Sequence, residues 1–209
     1  MSSLEKIAFY QNIRSEIPNQ QLAHELAESR DAAGIKEIAA NLGHKNQNVC
    51  SDCLKVLYEI GYLEPDLIAP HVQDFLLLLK SKHNRMVWGA MIALATIAGL
   101  RPDEIGAELP ILLQVFEKGT VITVVWGVKL FASLSAARPE YSKKLFPILV
   151  QTLETCIPRD VPTHAENMLP AVQAQNKDIL LAILKDRQSE LTNSQLARCR
   201  RVFKKIESI

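Results

Sequence analysis

Three segments of the chain carry the same order of apolar and polar positions. They read VCSDCLKVLYEIGYLEPDLI from Val49, VWGAMIALATIAGLRPDEI from Val87 and VWGVKLFASLSAARPEYS from Val125. Each is an apolar stretch at helical spacing that stops at a proline followed by an acid, namely Pro65-Asp66, Pro102-Asp103 and Pro139-Glu140. Those prolines are spaced 37 and 37 residues apart, and the Val-Trp-Gly triplets at 87–89 and 125–127 are 38 apart. Alternation of period two is sustained nowhere, so the pattern predicts helices and no strands.

A second set of prolines marks the intervening segments: Pro70 in LIAPHVQDFLLLL, Pro110 in AELPILLQVFEKG and Pro147 in KLFPILVQTLETC. A proline there removes a backbone donor and is expected to bend its helix. The Pro-acid junctions suit helix starts, because the preceding helix cannot easily run into proline and an acid complements the positive end of the dipole. The pattern therefore predicts antiparallel pairs. Helix A spans about 66–80, 103–117 and 140–156, and helix B about 47–62, 84–99 and 121–137. An earlier A helix lies near 31–42 and a later, proline-rich B helix near 163–173. Segments 4–14 and 19–29 form an opening pair, and 177–190 and 193–207 a closing one. The whole of 1–209 reads as one repeat domain, with opening helices over 4–29, repeats over about 31–173 and the closing pair within 177–207.

A two-helix unit of this length, with proline inside its first helix and a Val-led apolar second helix, resembles the HEAT and armadillo repeat families. The resemblance covers about 31–173 well and the two ends weakly. It implies an all-α superhelix, a right-handed solenoid of about five to six helix pairs. HEAT repeats commonly place Arg after the Val of helix B, whereas Trp88 and Trp126 follow Val87 and Val125 here, and Arg85 precedes the Val.

Composition narrows the function classes. Hydrophobic residues make up 48% of the 209, charged residues 22% and aromatics 6%, which excludes a disordered chain. A net charge of +1 offers no global attraction to nucleic acid or anionic lipid. The apolar run Met86 to Leu100 is fifteen residues, short of the roughly 20 that cross a bilayer. With no apolar signal region in MSSLEKIAFYQNIRSEIP, the expected compartment is the cytoplasm. Cys50 and Cys53 form a C-x-x-C inside a helix, and Cys156 and Cys199 supply no second pair, so small buried thiols are expected rather than a zinc site or disulfides. His24, His44, His71, His83 and His164 are scattered, although His71 and Asp74 share a face at i and i+3. No P-loop, G-x-S-x-G or G-x-G-x-x-G occurs, so no cofactor, metal site or catalytic residue is predicted.

What the resemblance implies for function is a binding or scaffold module that holds a protein or peptide partner on the concave surface lined by the B helices. Trp88 and Trp126, the two tryptophans, take equivalent repeat positions. They either anchor a partner in that groove, as Trp often does at binding hot spots, or fill the seam between repeats. On the same face helical spacing places Asp52, Lys55 and Glu59, and Lys129 and Ser133 beside Trp126. The alternative is an enzyme, because HEAT-like folds include alkylpurine DNA glycosylases, which bind damaged duplex DNA. Residues 49–176 hold 11 basic and 13 acidic side chains, a poor match to phosphate neutralisation. A basic cluster, Arg198, Arg200, Arg201, Lys204 and Lys205, either meets nucleic acid or an acidic protein, or serves as the polar face of a capping helix whose last turn favours cations.

Overall fold

In a computed structural model, which describes residues 2–209, the chain divides into two compact units, Met1–Thr123 and Val124–Ile209. The first unit opens with a 3-10 turn, Leu4–Lys6, followed by α1 (Ile17–Ser29), α2 (Ala32–Ala40) and α3 (Gln47–Leu63). It continues through α4 (Pro65–Ile68), α5 (Val72–Leu78), α6 (Asn84–Ile97), α7 (Pro102–Ala107) and α8 (Leu109–Lys118). Helix α9 (Val121–Ala137) begins at its end and runs into the second unit, which holds α10 (Pro139–Thr155), α11 (Val161–Met168), α12 (Lys177–Asp186) and α13 (Asn193–Glu207). No strand occurs among the described residues.

Local chemistry sets the helix starts. Pro65, Pro102 and Pro139 open α4, α7 and α10 as their first residues, where a missing N–H costs nothing. Asp31 caps α2 by accepting from the amides of Ala33 and Gly34, and Asn46 caps α3 by accepting from Asn48 N. Thr192 and Gln195 form a capping box on α13.

The second set of prolines behaves less uniformly than the bend expected at each. At Pro70 the helix splits into α4, a 3-10 turn (Ala69–His71) and α5, and at Pro110 it splits into α7 and α8. Around Pro147 the helix α10 stays continuous. The opening segment 4–14 also departs from its expected helix. After the 3-10 turn, the amide of Ile13 donates to Ala8 O, and Asn12 sits at φ 53°, the left-handed conformation that ends helices.

In the first unit α3 packs between α1 and α6, with α2 against α3 and α5 against α6. Leu22, Leu26, Ile35, Ile38, Leu54, Leu57, Ile60, Phe75 and Met91 make the core. Each fully buried aliphatic side chain there contributes about 1.5–3 kcal/mol. The α3–α6 crossing is close because Gly89 lacks a Cβ, which would stand 2.5 Å from Leu54 Cδ2. In the second unit α11 packs on α13, α10 on α11 and α12, and α12 on α13. Asn167 Nδ2 ties α11 to α9 by donating to Val125 O at 3.2 Å.

Candidate functional site

Helix α3 presents a polar face because its apolar positions, Val49, Cys53, Leu57 and Ile60, recur at helical spacing on the other side and are buried. The polar face carries Asp52, Lys55, Glu59 and Tyr62. Lys55 is not an open solvated charge. It is 7% exposed, with its ammonium 2.6 Å from Glu59 Oε1, 3.0 Å from Glu16 Oε2 and 4.9 Å from the Tyr58 ring centroid. Burial alone would pull this ammonium down; the carboxylates of Glu59 and Glu16 outweigh burial and hold it above the usual lysine value.

Glu16, just ahead of α1, also accepts from Arg85 Nη2 at 3.2 Å, so one carboxylate joins cations on α3 and α6. Asp52 accepts from the Phe9 amide at 2.8 Å. These bonds draw the segment 8–16 over the first turns of α3 and α6. They leave a cavity of about 430 Å³ among Phe9, Ile13, Glu16, Asn48, Asp52 and Arg85.

Farther along α3, Tyr58 is buried, with its ring centroid 6.3 Å from that of Trp88 on α6 and 5.9 Å from that of Tyr62. Trp88 is half-buried and Tyr62 is 42% exposed. Trp88 therefore packs against α3 with one part of its ring and is open to solvent on the rest. In the second unit Trp126 is half-buried, and Lys129 Nζ lies 4.8 Å from its ring centroid. Burial pulls that ammonium below the usual lysine value. Ser133 is half-buried one turn on.

The C-terminal cations fall into two groups. Arg198 is engaged, with Nη2 2.6 Å from Glu166 Oε2 and 3.0 Å from Thr163 Oγ1, and it holds the Glu166 carboxyl below its ordinary value. Arg200, Arg201, Lys204 and Lys205 are exposed.

The remaining chemistry is dispersed. Cys50, Cys53 and Cys199 are buried free thiols and Cys156 is a half-buried one. Burial pushes Cys53 up to about 12, which leaves it protonated and inert. His71 Nδ1 lies 3.3 Å from Asp74 Oδ2, and His164 is buried in the second unit. No group of His, Cys, Asp and Glu among the described residues is arranged to hold a metal ion. No helix among them is long and apolar enough to cross a membrane.

Sequence reasoning missed Tyr58, Tyr62, Arg85 and Glu16 as members of the α3–α6 surface. The tyrosines were detectable, since they lie four apart beside the expected polar face. Glu16 was not, because its partners are 39 and 69 residues away.

No protein-family model matches the chain, and no curated protein matches it. Among solved structures, a designed armadillo repeat protein in complex with the peptide (KR)4 is similar at a TM-score of 0.66 and 14% identity, covering 90% of this chain and 86% of that one. An engineered protein is similar at a TM-score of 0.65 and 16% identity over 100% and 98%. A computationally designed armadillo repeat protein for modular peptide recognition gives 0.64 and 14% over 88% and 86%. The fold is the all-α helical repeat of the armadillo and HEAT type.

Proposed function

We propose that this chain is a binding module for a protein or peptide segment, with a candidate surface on each of its two units. In the first unit that surface is Asp52, Glu59, Tyr62 and Trp88 on α3 and α6, over the buried Lys55; in the second it is Trp126 with Lys129. The observation that carries the reading is the Tyr58–Trp88–Tyr62 group, in which buried Tyr58 supports two aromatic side chains that still reach solvent. Large, rigid rings with a polar edge supply contact area at little entropic cost, which is why Trp and Tyr dominate binding hot spots.

Lys55, Glu59 and Glu16 satisfy one another and act as a rigid frame around the rings rather than as the main ligands. The designed armadillo relatives described as peptide-bound or built for peptide recognition lend support to a peptide as the occupant. Four free thiols suit a reducing compartment, and the proposal places the module in the cytoplasm.

Peptide display on the wild-type chain tests the reading. Selected peptides should bind a Trp88→Ala/Tyr62→Ser variant about tenfold more weakly or worse, a loss of about 1.4 kcal/mol, while its circular dichroism is retained. Peptides that bind both proteins equally would remove the α3–α6 surface as the site.

A further inference from the structure

We infer that the outward face of α13 is a separate docking surface for an acidic protein segment that carries an apolar side chain. Leu196, Arg200, Phe203 and Lys204 share one face of α13 at helical spacing. With Gln188 and Cys199 they line a cleft of about 250 Å³. Leu196 and Phe203 are half-buried in its walls, Cys199 is buried beneath them, and Arg200 and Lys204 stand exposed over it.

The cations on this helix and the turn before it are treated differently according to where they point. Arg187 pairs with Glu190 at 2.7 Å, and Arg198 pairs with Glu166 at 2.6 Å. Arg201 and Lys205 act on Glu166 through space and help to hold its carboxyl down. Arg200 and Lys204 have no ion-pair partner among the described residues, although like charges four apart on a helix repel.

Two plainer causes each leave part of this unexplained. The helix dipole favours Lys204 in the last turn, but Arg200 lies mid-helix, beyond the reach of that effect. A polar capping face accounts for the two cations, but not for Leu196 and Phe203 on the same face.

Charge and size together define the occupant. Residues 124–209 hold 13 basic and 8 acidic side chains, net +5, so the face attracts carboxylates. The cleft is smaller than the roughly 300–1,000 Å³ of small-molecule sites and admits one aliphatic or aromatic side chain. A single-stranded nucleic acid fits less well, since its bases stack on exposed rings and Phe203 is recessed within the cleft.

Fluorescence anisotropy with the full chain tests the inference. The probe is a labelled octapeptide, Asp-Glu-Asp-Leu-Phe-Asp-Glu-Asp, compared with an octapeptide of Asp and Glu alone and with a single-stranded oligonucleotide. The Leu-Phe probe is expected to bind at least about tenfold more tightly than the all-acidic one, and less tightly as salt rises. Arg200→Ala/Lys204→Ala should weaken it by about tenfold or more, with helicity unchanged and with Trp88→Ala binding the probe as wild type does. Equal binding of both peptides, preference for the oligonucleotide, indifference to the double substitution, or no binding at millimolar peptide would each overturn it.

Discussion

Tyr58 and Trp88 meet across the α3–α6 crossing with ring centroids 6.3 Å apart and planes inclined at 51°. The contact exists because Gly89, next to the tryptophan, lets α6 approach Leu54 on α3. Trp88 therefore has a structural and an exposed part. Trp88→Ala should lower stability by about 1–3 kcal/mol, below the 3–5 typical of a fully buried Trp or Phe. Urea denaturation measures this; a loss within error of zero would mean that the ring does not pack on Tyr58.

Gly89 itself supplies a sharper test of that approach. Alanine there gains up to about 1 kcal/mol of helix propensity but sets a methyl 2.5 Å from Leu54 Cδ2. Overpacking of this kind costs about 1–3 kcal/mol, so Gly89→Ala should be net destabilising. Gly99 has nothing within 4 Å of its missing Cβ and no positive φ. Gly99→Ala should be neutral or stabilising by up to about 1 kcal/mol. The pair of thermal midpoints should move in opposite directions, or at least differ with Gly89→Ala lower.

Lys55 holds two carboxylates at once, with its own side chain almost out of solvent. Replacing it by methionine keeps the packing of the stem and leaves Glu16 and Glu59 without their shared cation. Glu16 is 49% exposed and Glu59 19%, so water screens part of the loss, and Lys55→Met should cost about 1–2 kcal/mol rather than the 3–5 of a fully buried pair. Glu16→Gln, at the exposed end, should cost less than about 1 kcal/mol. The raised Lys55 value has a definite sign. Its contribution is fully present below the ordinary lysine value of 10.5 and is lost only as pH rises through the higher folded value. Equal losses from the two variants would show that Lys55 is not the buried centre of the group.

The features legible in the sequence were those set locally. A Pro-acid pair begins a helix by its own backbone chemistry, so Pro65, Pro102 and Pro139 marked α4, α7 and α10 correctly. The consequences of Pro70, Pro110 and Pro147 were less legible. Three prolines with the same local signal end in a 3-10 turn, a break and a continuous helix. Segment 4–14 was expected as a helix of the opening pair, but the left-handed Asn12 and the Phe9–Asp52 bond turn it across α3 instead. The candidate site was half legible. Trp88 was found by its repeat position and Asp52 by helical spacing, whereas the burial of Lys55 depends on Glu16, a residue that no local pattern connects to it.

Buried His164 supplies the pH-dependent prediction. It is 2% exposed on α11, and its Nδ1 has no hydrogen-bond partner. Burial pushes its pKa below the ordinary 6.5, and nearby Asp160 only partly offsets that shift. The unfolded chain thus binds this proton more readily than the folded one, so stability is complete above about pH 6.5 and falls as pH drops through that value toward the folded pKa. Glu166 acts in a separate, more acidic window. Its pKa is held down by Arg198, so its contribution is present above the ordinary 4.5 and is lost below it. Urea titrations at steps between pH 8 and 5 isolate the histidine. Wild type should lose stability across the interval, and His164→Gln should start lower at pH 8 but show a flatter profile. If the substituted chain retains the full wild-type slope, His164 is not the group that titrates.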